Sequence, residues 1–358
     1  MWEWWIWLTT RASAEARRRL AERQSTPRLY FVAHNLNHVQ VFEEAAGLLR
    51  GRGLAVSFVT VKDVPGVQGA IDALGYPRIT IGDLARCATS RDVVCFGNDW
   101  GPTRVRRALE RLKRNRVPRV GVIEGARFSI PNRYRRVDAV LYWGPSGSEL
   151  LGRPGRVVGS PIIERAWRLD RHPPEHPRVL INYKSPHDPE FEWGRAAIAA
   201  AKAIDPAYVF SAHPASKGIP QDVCVSHEPF RKLLSTASLL ITRSSTVIYE
   251  ALVAGVSVLY FPLPDEKRVE FGDPRGAFQT AESAADLLRL AQAHAADPGF
   301  DRSAASAFLD RHVSIDALQP SAERLADALA GYFSPAIQDS HVTQAVRGNA
   351  AVGHLPAV

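Results

Sequence analysis

The chain is poor in methionine, lysine and cysteine. Met1 is its sole methionine, and lysine supplies only seven of the 45 basic side chains. Three cysteines, Cys87, Cys95 and Cys224, are too few and too scattered for a disulfide framework or a Cys-x-x-Cys metal clip. They are expected to be reduced, as in a cytosolic protein. Pro and Gly, 25 of each, follow no period, which excludes collagen and low-complexity architectures. No GxGxxG or P-loop sequence occurs, so classical NAD binding and Walker-type ATP hydrolysis are not expected. HExxH and DxD spacings are missing as well, and His187-Asp188 alone does not make a site, so no metal is expected. Basic runs interleaved with aromatics are also lacking, as are zinc-finger, RRM and helix-turn-helix signatures, which argues against nucleic acid.

What is present is ordinary globular material, with 46% hydrophobic and 23% charged residues over 358 positions. That composition rules out bulk disorder, and the length predicts two domains. The net charge is +8, carried mostly by arginine. Biased codon usage explains such a skew. The planar guanidinium fork also suits an anionic substrate, an acidic polymer or an anionic membrane face.

The first 27 residues form a distinct leader. Trp2, Trp4, Trp5 and Trp7 crowd its start, and Arg11, Arg17, Arg18, Arg19 and Arg23 follow. The apolar run to Leu8 is far too short to span a bilayer and lacks the flanks of a signal peptide. An aromatic wedge followed by a basic helix suits peripheral contact with a membrane interface. The expected location is therefore the cytoplasm, with peripheral attachment to the inner face of the cell membrane as an option. A structurally trivial leader is the plainer alternative.

From Arg28 onward, short β-branched and aromatic runs alternate with helical periodicity, the mark of βαβ units and parallel sheets. The pattern predicts strands at 29–33, 55–61, 93–96, 120–123 and 139–142, with helices at 39–50 and 103–115. A proline-bearing lapse at 161–177 reads as an interdomain linker. A second series then places strands at 179–183, 208–212, 239–242 and 256–261, with helices at 193–203, 230–235, 246–254, 281–296 and 321–332. The expected division is a first Rossmann-like domain at 28–160 and a second at 178–333, with a flexible tail at 334–358. The fold class is thus α/β, two facing Rossmann-like domains with a ligand cleft between them.

Open parallel sheets bind ligands beyond the carboxyl ends of their strands, so the residues just after each strand form the shortlist. The segment Thr242-Arg243-Ser244-Ser245-Thr246-Val247-Ile248-Tyr249-Glu250 runs from a strand into a helix. Ser244, Ser245 or Thr246 can cap that helix, and its free amides suit a phosphate. Glu250 lies about 6 Å further along the axis, roughly the step from a diphosphate to its ribose. The bland alternative is simple capping with Glu250 in solvent. His213-Pro214 presents an imidazole at another strand end, where it can hydrogen-bond a leaving phosphate or pass it a proton. In the first half, Glu124-Gly125 follows one strand and Asp99 another, so two acids are available for base chemistry. A structural ion pair of Glu124 with Arg127 or Arg104 is the alternative there. The loop His34-Asn35-Leu36-Asn37-His38 adds polar groups able to contact substrate.

These segments together resemble the GT-B superfamily over about residues 28–332, and two of its branches share them. Ile123-Glu124-Gly125-Ala126-Arg127 looks like the VEAGLR segment of nonhydrolysing UDP-N-acetylglucosamine 2-epimerases. Pro131-Asn132-Arg133, Val158-Gly159-Ser160-Pro161 and Arg243-Ser244-Ser245-Thr246 are similar to further segments of that branch. Its opening GTRPE is replaced by Ala33-His34-Asn35-Leu36-Asn37, and its HRREN by Asn182-Tyr183-Lys184-Ser185-Pro186. The second branch holds bacterial sialyltransferase-like, polysialyltransferase-like and CDP-glycerol-transferase-like enzymes. Its acid-glycine, HP and double-serine signatures are matched by Glu124-Gly125, His213-Pro214 and Ser244-Ser245.

The resemblance implies a metal-independent, inverting glycosyltransferase that uses a nucleotide-activated sugar, in surface-polysaccharide or glycolipid synthesis. Glu124 would be the base, with Asp99 supporting it or binding acceptor. His213 and the Arg243–Thr246 segment would hold the leaving phosphate and Glu250 the ribose, with His34, Asn35, Asn37 and Arg127 contacting a saccharide or lipid-linked acceptor. The resemblance implies no cofactor beyond the nucleotide sugar. The alternatives are a sugar epimerase using Asp99 and Glu124, and a non-catalytic nucleotide-sugar-binding protein.

Overall fold

The computed structural model describes residues 26–333, apart from 63, 100–101, 124–133, 173–175, 177, 185–187, 189, 214–215, 244, 264–270 and 272. Glu124, Arg127, Ser244, Pro214, most of the leader and the tail lie outside the described residues.

The first series runs β1 (Arg28–Ala33), α1 (Leu36–Gly51), β2 (Ala55–Thr60), α2 (Pro65–Ala73), β3 (Arg78–Thr80), α3 (Ile81–Cys87), β4 (Val93–Phe96), α4 (Thr103–Arg114), β5 (Arg119–Val122), β6 (Ala139–Tyr142), α5 (Pro145–Leu151), β7 (Arg156–Val157) and α6 (Pro161–Trp167). Its strands form one sheet in the order β3-β2-β1-β4-β5-β6-β7. The second series runs β8 (Val179–Tyr183), α7 (Glu192–Lys202), β9 (Val209–Ala212), β10 (Val225–Ser226), α8 (Phe230–Ser235), β11 (Leu239–Thr242), α9 (Val247–Val253), β12 (Ser257–Tyr260), β13 (Gln279–Thr280), α10 (Ala284–Ala296), α11 (Arg302–His312) and α12 (Ser321–Ala330). Its sheet reads β10-β9-β8-β11-β12-β13. Both orders are the doubly wound 3-2-1-4-5 pattern, whose switch points lie between β1 and β4 and between β8 and β11.

The strands read as unbroken apolar runs because helices cover both faces of a parallel sheet. Leu29 and Phe31–Ala33 of β1, all of β4, and Leu239–Ile241 of β11 are essentially inaccessible to water. In α4, Val105, Ala108, Leu109 and Leu112 form the buried stripe, the i, i+3, i+4, i+7 spacing of an amphipathic helix. Gly255, at φ +70°, ends α9 in the left-handed region, where a side chain is strained. The chain can then turn directly into β12, with Val256 N–H donating to the Ala251 carbonyl at 2.8 Å.

The compact units are not the two contiguous halves expected. Of the described residues, those up to Val122, 134–141 and those from Ala322 onward form one unit; Ile123 and Tyr142–Ser321 belong to the other. Within the second unit, Trp143 packs edge-on to Tyr249 at 6.3 Å, and Ser146 Oγ lies 3.0 Å from His312 Nδ1. Gly144 abuts the backbone of His312 and Val313. In the first unit, Arg52 reaches back to Asp327 of α12 at 2.7 Å. The stretch expected to be a linker opens instead as α6, capped by Ser160, with Pro161 in its first turn. Buried Glu164 accepts the Ser321 backbone N–H through both carboxylate oxygens, at 2.8 and 3.0 Å. Proline at a helix's first turn costs no hydrogen bond, so Pro161 marks a helix start and not a break. Among the described residues no helix is long and apolar enough to cross a membrane.

Candidate functional site

The strand-end candidates of the second unit follow β9 and β11, the two strands that flank β8. Asn182 of β8 and Thr242 of β11 are paired in register, and the Thr242 hydroxyl donates to Asn182 Oδ1 at 3.3 Å. Just past the ends of the same two strands, the Arg243 guanidinium donates to the Lys184 carbonyl at 2.6 Å. Arg243 is only 5% exposed, so its charge is held by backbone in a nearly dry setting, where it acts strongly on any anion. On the other side of β8, His213 N–H donates to the Tyr183 carbonyl at 2.8 Å, which fixes the backbone that carries an exposed imidazole. Partial desolvation and the nearby Lys184 ammonium hold that imidazole below its ordinary pKa. It is therefore neutral at pH 7, able to accept a proton or donate a hydrogen bond.

Past Arg243 the chain turns into α9. Ser245 Oγ accepts the Val247 N–H at 3.4 Å, whereas Thr246 makes no side-chain capping bond. Of the three hydroxyl residues, Ser244 lies outside the described residues, Ser245 provides the cap, and Thr246 leaves its hydroxyl uncommitted to the helix. Glu250 is 7% exposed, which overturns the solvent-exposed alternative. Burial raises its pKa to about 7, against the opposing pull of Arg231 and Arg165. Arg231 Nε stands 3.4 Å from Glu250 Oε2.

In the first unit, the β1 and β4 ends bring together the His34–His38 loop and Asn98-Asp99. Asn35 caps α1, its side chain accepting the His38 N–H at 3.0 Å; Asn37 is exposed and His34 partly so. His38 does not serve as a substrate contact: it is fully buried, accepts the His34 N–H at Nδ1 (3.0 Å), and has a pKa lowered by burial to about 3. Its ring fills the space above Gly97, where a Cβ would come within 2.7 Å. Asp99 is equally buried and accepts the backbone N–H groups of Tyr134 (2.6 Å) and Arg136 (2.8 Å), one at each oxygen. A carboxylate engaged in this way anchors the chain that returns to β6. Of the two acids expected to do base chemistry, Asp99 is thus placed as a support, while Glu124 and Arg127 lie outside the described residues.

Two residues escaped the sequence reading. Lys184 follows β8 at a switch point, a position the strand-end rule marks. Arg231 lies 19 positions before Glu250 with no local motif, and only tertiary packing pairs them. Among the described residues no group of three or more His, Cys, Asp or Glu side chains is arranged to hold a metal ion.

No protein-family model matches the chain, and no curated protein is significantly similar to it. Solved structures do match. The UDP-GlcNAc 2-epimerase from Neisseria meningitidis bound to UDP-GlcNAc is similar with a TM-score of 0.61 at 12% identity, covering 85% of this chain and 100% of that one. The Methanocaldococcus jannaschii UDP-GlcNAc 2-epimerase in complex with UDP-GlcNAc and UDP gives 0.58 at 14%, covering 85% and 99%. MurG of Acinetobacter baumannii gives 0.52 at 15%, again covering 85% and 99%. At such identities the likeness establishes architecture alone. With two parallel, doubly wound sheets in one chain, the protein shares the two-domain α/β fold of these solved structures.

Proposed function

We propose that the protein is a metal-independent, inverting glycosyltransferase that draws on a nucleotide-activated sugar. The observation that carries this reading is that buried Arg243 and the start of α9 follow β11 at the switch point of the second sheet, while the His213 imidazole, its pKa lowered by partial desolvation, follows β9 on the other side of β8. Glycosyl transfer leaves negative charge on the departing phosphate, and fixed donors aimed at that charge are the most effective way to lower its barrier. Arg243 and the hydroxyls of Ser244, Ser245 and Thr246 supply such donors. His213 stabilises the leaving group by a hydrogen bond or a proton. Glu250, with a carboxyl near its titration point, accepts from a ribose diol. Glu124 takes the proton of the acceptor hydroxyl, and Asp99 holds the neighbouring chain in place. The acceptor is a saccharide or a lipid-linked saccharide.

Sugar epimerisation is the second reading, favoured by the TM-scores of 0.61 and 0.58 to two epimerases. Product analysis separates the two: an epimerase needs no acceptor and leaves the nucleotide attached, whereas a transferase frees nucleotide only alongside a glycosylated product. The first experiment is a thermal-shift panel of CMP, CDP, UDP and GDP, since a ligand that binds only the native state raises the melting temperature by mass action. A preference for one nucleotide that weakens in Arg243→Gln and survives in Glu124→Gln supports the assignment. No response to any of the four counts against both readings.

A further inference from the structure

The first unit carries a concave feature away from the β1–β4 switch point. A groove of about 620 Å³ opens between the ends of β2 and β3, α3 and the flank of α4. Its apolar floor includes Ile81, Ala85 and Ala108, and its rim carries Lys62, Arg78, Arg104, Arg107 and Arg111. No carboxylate is among the residues that line it.

Helix geometry organises three of these cations. Arg104, Arg107 and Arg111 recur at i, i+3 and i+7, so they project from one flank of α4 beside its buried stripe and extend about 10 Å along the axis. Among the described residues none of them, nor Lys62, forms an ion pair. Of the acids on the neighbouring elements, Asp72 pairs with the rim cation Arg78 at 3.2 Å, Asp83 is held by Arg86 and the capping box with Thr80, and exposed Glu110 of α4 is not among the residues lining the groove. Lys62, Arg104, Arg107 and Arg111, with no ion pair among the described residues, repel one another around one concavity, and an anion of matching extent relieves that repulsion. Arginine forks are suited to phosphate oxygens, and the length of the stripe exceeds a single phosphate.

We propose that this groove binds a phosphate-bearing ligand whose phosphates lie in series along the Arg104–Arg107–Arg111 stripe, carried by a soluble metabolite or by a lipid headgroup. The site belongs to the first unit, and its occupancy requires no sugar transfer.

The test uses the full chain. Titration calorimetry with pyrophosphate and with inorganic phosphate is compared between the unaltered protein, Arg107→Gln/Arg111→Gln, and a control, Arg106→Gln/Lys113→Gln, altered on the far face of α4. All four side chains are exposed, so folding is preserved. Pyrophosphate is expected to bind saturably and more tightly than phosphate, with a loss of about tenfold or more in the groove variant and none in the control. Sedimentation with phosphatidylglycerol and phosphatidylcholine vesicles identifies the source. Retention on the former that is lost only in the groove variant assigns a lipid-borne phosphate. Pyrophosphate binding without vesicle retention assigns a soluble one. Absence of saturable binding to either probe, or equal losses in the two variants, overturns the proposal. A failed nucleotide panel with intact pyrophosphate binding would reject the transferase reading and leave this site standing.

Discussion

Arg231 Nε lies 3.4 Å from Glu250 Oε2, and the carboxyl it faces is buried. The two charges attract, yet burial outweighs the attraction and lifts the Glu250 pKa from 4.5 to about 7. Removing a carboxylate from water costs more than one partly exposed guanidinium returns. The α9 site therefore holds an acid that is half protonated at neutral pH.

This has a consequence for stability. The folded pKa of Glu250 is raised, so the native state holds its proton more tightly than the unfolded chain does between pH 4.5 and 7. Its contribution is fully present below about 4.5 and is lost as pH rises through 7, amounting to about 3 kcal/mol at about 1.4 kcal/mol per pKa unit. Glu250→Gln should flatten that limb of the melting-temperature profile. An unchanged slope from pH 5 to 7.5 would contradict the assignment.

His38 acts in the opposite sense. Its folded pKa of about 3 lies below the ordinary 6.5, so its contribution is present above 6.5 and is lost as pH falls toward 3. The same packing makes Gly97 intolerant of a side chain. Gly97→Ala should cost about 1–3 kcal/mol in urea unfolding, and a midpoint shift worth less than about 0.5 kcal/mol would show that the His38 ring yields freely.

Asp99→Asn separates support from chemistry. An amide has one acceptor oxygen where the carboxylate has two, so one of the Tyr134 and Arg136 N–H groups would be left facing an NH₂. A buried donor without a partner costs about 1–3 kcal/mol. Denaturant unfolding should show that loss, with nucleotide affinity retained. Full stability with abolished turnover would instead place Asp99 in the reaction.

Gly144 probes how the second unit is joined. A Cβ there would sit 2.4 Å from the His312 carbonyl carbon, and backbone cannot swing aside as a side chain does. Gly144→Ala should cost at least about 2–3 kcal/mol and increase proteolysis within Tyr142–Ser321. Wild-type melting would contradict the close packing of α5 on α11.

The regular part of the fold was legible because covering both faces of a parallel strand leaves a continuous apolar run. The strands at 93–96, 139–142, 179–183 and 239–242 are where the pattern places them. Short elements with polar or proline-bearing sequences were not legible. α3 and α5, seven residues each, gave no periodic signal although six-residue α8 did, and α6 was hidden by Pro161, which is compatible with a first turn.

The strand-end rule likewise named Arg243, Ser245 and Glu250 from local order alone, because a strand running into a capped helix is written in consecutive residues. Burial is not local. Whether Glu250 faces water or Arg231, whether His38 meets substrate or Gly97, and whether Asp99 serves as base or as anchor depend on segments tens of residues away.

The amino-acid order by itself determined two βαβ series and the residues at their strand ends, since hydrophobic period and turn chemistry act over a few positions. Tertiary structure alone decided which of those residues carry charge in a dry setting, and it alone returned α12 to the first unit. Desolvation and packing are set by neighbours the chain brings together only when folded.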